Sequence, residues 1–484
     1  MRLKLKNIGI IKETSIKLKG LTVITGHNNS GKSTVGKALF ASIEAFSNLD
    51  QKRELEINSA LMEIVFEIQR ILSLQEVVRY LDFTKIEEEY QKVFEVLTSG
   101  IRFPFSRKNF DIPVENYYLS IKEFLEILSG QYLLSKTNKT KNELPKKFFH
   151  YLENLETSKN KALKVLDKLA ELINDKDNLK YSKLIVNTIL NKEFHKQIYP
   201  IRGKEKEKIS KISLIRNEEV GFDFTMLKEK GVINTGKIFN KLFYNNVILI
   251  DDAYVIDDSN EYYLRRYRYP FPYTFMGETY GYTHKEKLLG LLSKDSDSSA
   301  IEQFLKNKNY EEIRKEINSV VPGEIIEKDG NYFYLENNNA EPLRFENLAT
   351  GSKTFAILKT LLKNGKIDLD TMLILDEPEA HLHPQWQNIM AELIVLLVNR
   401  LDVNILLTTH SINFLLAIET FVKKYNICDK TTYYQTEYVD AEKYMVTHKE
   451  IENLNEMYEK FSKPFIYMSN MNNKINQMLI PEED

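Results

Sequence analysis

The chain has 484 residues, 43% of them hydrophobic, with 67 basic against 69 acidic side chains and a net charge of −2. That length and content suffice for two or three packed substructures, while the near-neutral balance excludes a protein drawn to nucleic acid or membrane by overall charge. A single cysteine, Cys428, excludes an internal disulfide framework or a cysteine-pair zinc site, and no apolar run of membrane-spanning length occurs; a soluble protein of a reducing, cytoplasmic compartment is expected.

Arg2-Leu3-Lys4-Leu5-Lys6 and Ser15-Ile16-Lys17-Leu18-Lys19 alternate apolar and basic residues, which predicts the two half-buried strands of a hairpin. Leu21 to Thr25 reads as a short apolar strand. It runs into Gly26-His27-Asn28-Asn29-Ser30-Gly31-Lys32-Ser33-Thr34, a complete G-x-x-x-x-G-K-[ST] phosphate loop, and Lys32 to Phe46 continues with helical spacing. This is the strand, loop and helix context in which the motif has a physical meaning. The two glycines let backbone N–H groups of Gly26, Asn28, Asn29, Ser30, Gly31 and Thr34 wrap a triphosphate at the positive end of the helix dipole. Lys32 would reach the β- and γ-phosphates of ATP, and the Ser33 hydroxyl would ligate Mg²⁺.

From about Asp50 the pattern turns helical. Leu61, Ile64, Val65, Ile68, Ile71 and Leu72 recur on one helical face, and helices are expected as far as about Asn240. Within this stretch Gln131 to Ser210 carries 18 Lys/Arg and 10 Asp/Glu. It reads either as a solvated lysine-rich surface or as a basic arm able to touch nucleic-acid phosphates. Asn246-Val247-Ile248-Leu249-Ile250-Asp251-Asp252 restores a strand signal. In Tyr262 to Tyr273 arginines alternate with aromatic residues, a pattern that suits partner docking, base stacking or packing on the same domain. Gly323 to Lys328 and Asn331 to Tyr334, joined by Asp329-Gly330, read as a second hairpin.

Glu346-Asn347-Leu348-Ala349-Thr350-Gly351-Ser352-Lys353 stands just before a helical run and offers small residues at a helix N-terminus, a second place for an anion. Thr371-Met372-Leu373-Ile374-Leu375-Asp376-Glu377-Pro378 is an apolar strand ending in two carboxylates. Asp376 would hold the Mg²⁺ that Ser33 also meets, and Glu377 would polarise the attacking water. Both belong to the same site as the phosphate loop, so the long helical segment between them must be inserted into one nucleotide-binding fold. His381 and His383 follow; two histidines without a third ligand read as a polar loop rather than a metal centre. Val403 to His410 is a buried-type strand ending in polar residues. Functional residues at the carboxyl ends of successive strands predict a parallel sheet with its nucleotide at that edge.

The phosphate loop, Leu375-Asp376-Glu377-Pro378-Glu379-Ala380-His381-Leu382-His383-Pro384 and Thr408-Thr409-His410-Ser411 together resemble the stand-alone ABC-type ATPases of bacterial phage-defence and DNA-maintenance systems. Among these the chain is similar to the Septu ATPase (PtuA-like) family, with the ATPases of PARIS and retron-linked systems as relatives. The resemblance implies an α/β fold: an ABC-type P-loop NTPase head with an antiparallel β subdomain and a large inserted α-helical domain. The head would comprise 1–48 and 243–430, the helical insertion 49–242, and a C-terminal extension 431–484. It implies that Ala349, Thr350, Gly351 and Ser352 form the signature loop, with Ala349 standing where the family carries serine. It also implies that Glu379 to Pro384 takes the place of the D-loop, and that His410 is the switch histidine, acting with Glu377 and Lys32. ATP and Mg²⁺ would be the cofactors of a homodimer or higher oligomer with ATP at its interface. Nothing in the chain resembles a nuclease: a zinc hook needs two cysteines per hook, and the acidic residues of Asp429 to Asp484 follow no topoisomerase-primase pattern. The implied function is an ATP-dependent sensor or scaffold controlling a separate effector, such as an HNH-type nuclease. The alternative is a DNA-maintenance ATPase that binds nucleic acid through its basic helical insert. A transporter subunit fits neither the insert nor the loop after Glu377, and no membrane partner is expected.

Overall fold

The structure is a computed structural model, and it describes residues 1–47, 49, 52–53, 114–127, 129, 146–174, 179–200, 209–216, 219–228, 230–235, 244, 246–257, 283–292, 298–328, 331–336, 341–439 and 444–478. The expected helical face at Leu61 to Leu72, the turn at Asp329-Gly330, the segment Tyr262 to Tyr273 and the 201–208 part of the basic stretch lie outside the described residues. The chain divides into two compact units, Met1–Ser47 with Ile185–Tyr263 and Gly281–Asp484, and Asn48–Leu184 with Leu264–Tyr280.

In the first unit β1 (Arg2–Ile8) and β2 (Ile11–Lys17) form the expected hairpin, with Leu3 and Leu5 buried and Lys4 and Lys6 in solvent. β3 (Leu21–Thr25) feeds the phosphate loop and α1 (Lys32–Phe46). The second unit holds α2 (Val114–Ile127) and α3 (Lys146–Asn174), which pack together; Ile121, Phe124 and Leu125 of one and Leu155, Ala162 and Leu166 of the other are buried. Much of the described basic stretch is α3, whose exposed or half-exposed lysines surround this apolar stripe. After α4 (Leu179–Glu193) come three strands, β4 (Ile209–Arg216), β5 (Glu219–Leu227) and β6 (Gly231–Thr235), and then β7 (Asn246–Ile250).

The strands β4 to β6 correct the expectation of helix through Asn240 and of an insertion reaching residue 242. Ile209–Arg216 alternates buried and exposed residues and pairs antiparallel with β1, Leu214 facing Leu3 and Ile212 facing Leu5. Buried Ile212 and Leu214 alternate with exposed Lys211 and half-exposed Ser213, a period of two that suits a half-buried sheet and not a helix.

Three helices follow, α5 (His284–Leu292), α6 (Ser298–Lys306) and α7 (Glu311–Val320). The second hairpin forms as expected, from β8 (Glu324–Lys328) and β9 (Asn331–Leu335), and β10 (Leu343–Arg344) completes a separate three-stranded antiparallel sheet. Next come α8 (Thr350–Lys363), β11 (Thr371–Asp376), α9 (Pro384–Leu401), β12 (Asn404–Thr409) and α10 (Ile412–Lys424). The chain then adds β13 (Thr431–Tyr438), β14 (Val446–Ile451) and α11 (Asn455–Met478).

The main sheet runs β6-β5-β4-β1-β2-β14-β13-β3-β12-β11-β7. Residues 431–451 are therefore two internal strands of the head, not the start of an extension: Thr431 pairs with Leu21 and Val446 with Ile11. β13, β3, β12, β11 and β7 run parallel. Helices cover both faces, which explains why β3 is buried at every position. Val23, Ile248, Leu373 and Leu407 join one cluster with residues of α8, α9 and α10. α1 lies on the opposite face, so close that a Cβ at Gly36 would stand 3.1 Å from Ile374 Cγ2. This is the α/β, ABC-like P-loop head expected from the motifs, and it brings the carboxyl ends of β3, β12, β11 and β7 to one edge.

Candidate active site

The phosphate loop turns on two residues in the left-handed region, Asn29 (φ 58°) and Gly31 (φ 81°), the latter at the N-terminal cap of α1. A Cβ at Gly31 would also press on Ile10, Ile11 and Val446. Gly26 is fixed from below: a Cβ there would lie 2.6 Å from Thr436 Oγ1 on β13. The loop thus needs glycine for backbone torsion at one end and for close approach at the other. Lys32 is buried and donates to the carbonyls of Gly26 (3.1 Å) and His27 (3.0 Å). Its charge is matched by Glu377, whose Oε1 lies 3.2 Å from Nζ.

Glu377 follows the last residue of β11 and adopts φ 52°, a conformation costing about 1–2 kcal/mol for a side chain with a Cβ. Two bonds hold it there, from its N–H to Thr408 O and to Thr408 Oγ1, both 3.1 Å. Held so, the carboxylate bridges Lys32 on one oxygen and His410 on the other, with His410 Nδ1 3.0 Å from Oε2. Asp376 accepts hydrogen bonds from the Ser33 and Thr408 hydroxyls. Burial pushes its carboxyl above the usual range, with those two bonds pulling the other way and the charges of Glu377 and Asp251 adding to the rise. Lys32, Ser33, Asp376, Glu377 and His410, drawn from three separate stretches of sequence, therefore meet at one place.

The hydroxyl of Ser33 against the Asp376 carboxylate is a hard-oxygen donor pair, suited to Mg²⁺, which takes one or two carboxylates and completes its shell with water and phosphate oxygens. A buried carboxylate with a raised pKa also favours a nearby cation. Among the described residues no group of three or more His, Cys, Asp or Glu forms an all-protein metal cage, and His381 and His383 do not contribute to one. His383 instead caps α9, its Nδ1 accepting from Gln385 N–H at 3.4 Å.

Four further residues support the site: Thr408 and Glu379, which stand inside the motifs named above, and Thr436 and His448, which stand outside them. Thr408 holds the Asp376 carboxylate through its hydroxyl and the Glu377 backbone through its hydroxyl and carbonyl. Glu379 is buried, with Oε1 accepting from Thr409 Oγ1 at 2.5 Å, and burial pushes its carboxyl up. Thr436 underlies Gly26. His448 on β14, paired in register with Thr436, is buried with neither ring nitrogen hydrogen-bonded among the described residues. Burial first, and the Lys32 charge second, lower its pKa to about 4.

The signature-loop residues occupy the N-terminus of α8. Ala349 caps the helix in solvent, and Thr350 Oγ1 lies 2.8 Å from Tyr254 OH. The N–H groups of Ser352 and Lys353 bond to Ala349 O, so these two amides close the first turn. Gly351 is buried, and a Cβ there would stand 3.0 Å from Leu382 and 3.2 Å from Trp386. The loop is therefore seated on the residues after Glu377 and presents Ala349 and Thr350 outward. Lys353 is fully buried beneath it, donating to Asp257 (2.5 Å) and Glu346 O (3.2 Å).

Residues 191–417 match the family described as "AAA domain, putative AbiEii toxin, Type IV TA system", and residues 2–219 match one described as "AAA domain". No curated protein matches the chain. Among solved structures, the SMC head domain from Thermotoga maritima is 10% identical, with 93% of this chain and 98% of that chain covered at a TM-score of 0.32. The Smc head domain with an extended coiled coil bound to the C-terminal domain of ScpA, from Pyrococcus furiosus, is 11% identical over 96% and 99%, at 0.27. Scores this low carry no weight for the fold, which rests on the strand order and the phosphate loop. Over two overlapping stretches that each cover slightly under half its length, and together run from residue 2 to residue 417, the chain is similar to AAA-domain ATPases.

Proposed function

We propose that the protein binds ATP with Mg²⁺, hydrolyses it between two copies of the chain, and thereby controls a separate effector in a bacterial defence system. The observation that carries the ATPase reading is Glu377, held in a left-handed backbone conformation so that one carboxylate spans Lys32 and His410. The two AAA-domain matches support the same class of activity.

In this reading Lys32 exchanges its loop carbonyls for the β- and γ-phosphate oxygens, and the amides at the start of α1 cradle the same phosphates. Released from Lys32, Glu377 orients water for in-line attack, and His410 donates to the γ-phosphate edge. Ser33 and Asp376 would hold Mg²⁺, which would supply neutralisation of the triphosphate charge. Ala349 faces solvent and Thr350 is half-buried beside it, so the start of α8 can meet the triphosphate of a second copy. Differential affinity of the closed dimer for ATP over ADP would drive opening and closing. Control of an effector, such as an HNH-type nuclease, is supported by the resemblance to Septu-type ATPases and by the toxin–antitoxin wording of one family description. No nuclease pattern is legible in the chain.

Subunit mixing tests the composite site. Ala349→Arg alone and Lys32→Ala alone should each be inactive. Mixed, they form one site from the intact phosphate loop of one and the intact signature loop of the other, and should recover a measurable part of wild-type hydrolysis. No recovery, with both variants folded and the first still binding nucleotide, would refute the shared site. Co-expression with the neighbouring gene product tests the effector: the pair should co-purify and be toxic where each alone is not.

A further inference from the structure

Beside the site, on the next parallel strand, lies a buried ion cluster that the reaction described above does not use. Ile250 pairs with Leu375, so Asp251, the next residue, sits at the strand end alongside Asp376. The Asp251 charge is one of those that raise the Asp376 pKa. Asp251 Oδ1 is 2.9 Å from His284 Nε2, and His284 Nδ1 is 2.7 Å from Glu193 Oε2. The other Glu193 oxygen accepts the His284 backbone N–H at 2.6 Å. The Glu193 side chain is fully buried and that of His284 is 7% exposed. Both ring nitrogens point at carboxylate oxygens, so both must donate and the ring carries a proton on each. Consistent with this, the two carboxylates hold its pKa up at about 9 despite burial.

The arrangement is directional. Glu193, at the end of α4, grips the first residue of α5 by ring and backbone together. His284 is wedged edge-on against Phe40 of α1, 5.9 Å between ring centroids, and Lys287 one turn on pairs with Glu44 of α1 at 2.6 Å. The imidazole is thus fixed on one side, and its remaining donor is spent on Asp251, the only member of the cluster at the nucleotide edge. The neighbouring Asp252 is used otherwise, capping Tyr254 N–H at 2.8 Å and pairing with Lys285.

We propose that His284, clamped by Glu193, is a positioning residue of the nucleotide site: it fixes the Asp251 carboxylate beside Asp376 and so sets the negative charge that the Mg²⁺–nucleotide complex meets there. The inference rests on the ATPase reading. A merely structural staple would contribute stability alone. A positioning residue also alters how binding depends on the cation, because an unanchored Asp251 rotates away from the edge where its charge is needed.

The test is affinity for a fluorescent non-hydrolysable ATP analogue, with Mg²⁺ and with EDTA, alongside thermal stability. In His284→Ala the Mg²⁺-dependent gain in affinity should fall about tenfold while binding in EDTA stays within about twofold; losing a hydrogen-bond partner that orients a group at a metal site typically costs about tenfold or more. Glu193→Gln, whose amide still meets the ring while Nε2–H serves Asp251, should keep most of the gain. Asp251→Asn should lose it as His284→Ala does, and serves in its place if the alanine variant does not fold. A lower melting temperature with the Mg²⁺ gain intact in both His284→Ala and Asp251→Asn would overturn the proposal and leave a structural staple. A wild-type protein that binds no nucleotide would overturn the ATPase reading and this one with it, whereas Mg²⁺-stimulated wild-type binding unchanged in the variants would overturn this one alone.

Discussion

Replacing Glu377 by Gln separates binding from chemistry, and the geometry gives the sign of each effect. The amide matches the carboxylate in shape, and the backbone hold from Thr408 is untouched. The fold loses only the ion pair to Lys32 and the contact with His410, on a side chain that is 29% exposed. Partly solvated contacts of this kind are worth about 0–1 kcal/mol each, so stability should change by no more than about 2 kcal/mol. Binding should not weaken. In the free protein Glu377 competes with phosphate for Lys32, so its neutralisation should leave ATP affinity equal or raise it up to about tenfold, or about 1.4 kcal/mol. Hydrolysis, by contrast, loses its water-orienting base, a contribution of about 10²–10⁴ in rate, or about 3–5 kcal/mol of barrier. Single-turnover hydrolysis and equilibrium nucleotide binding on the same preparation read both numbers. Lys32→Ala should lose binding instead. If Glu377→Gln binds ATP as poorly as Lys32→Ala does, the competition between carboxylate and phosphate is wrong and so is the assignment of roles.

Two histidines should shape the pH dependence of stability from opposite sides. His284 holds its proton more tightly folded (about 9) than unfolded (6.5), so its stabilisation is complete below pH 6.5 and is lost as pH rises through 9, about 3 kcal/mol in all; denaturant titrations of His284→Gln should show a flattened alkaline limb. His448 is depressed to about 4, so its neutral burial costs nothing above pH 6.5 and destabilises progressively as pH falls toward 4. His448→Phe should flatten the acid limb, and an unchanged limb would place the acid sensitivity elsewhere. Gly351→Leu should destabilise by about 1–3 kcal/mol through overpacking against Leu382 and Trp386. Ala349→Arg in solvent should stay within about 0.5 kcal/mol of wild type by chemical denaturation.

That Lys32, Asp376, Glu377 and His410 belong to one site was legible because each sits in a short motif whose chemistry is local to a few residues. Their mutual placement followed from one rule, that functional groups gather at the carboxyl ends of parallel strands. What stayed hidden depends on distant pairing. Ile209–Arg216 carries a short period-two pattern, but it lies in a stretch expected to be helical as far as Asn240, and only the pairing with Arg2–Lys6 reveals a strand. Thr431–Tyr438 is polar enough to pass for an exposed extension, yet it is flanked by β3 and β14. Glu193, Asp251 and His284 have no shared motif, and nothing short of the folded chain brings them within hydrogen-bonding distance. Gly351 looked like an open anion loop, whereas the neighbouring Leu382 and Trp386 make it a packing position.

The interleaved order of the main sheet also bears on how the protein is made. The phosphate-loop strand, Leu21–Thr25, finds its partner Thr431–Gln435 only after some four hundred further residues have been synthesised. Until then one edge of β2 and one edge of β3 carry unpaired backbone groups, the kind of surface that recruits other chains. Contacts of such long sequence separation also slow the final closure. Nascent chains should therefore depend on chaperones late in synthesis, and a deletion from residue 431 onward would remove the middle of the sheet and split it, instead of trimming a free end.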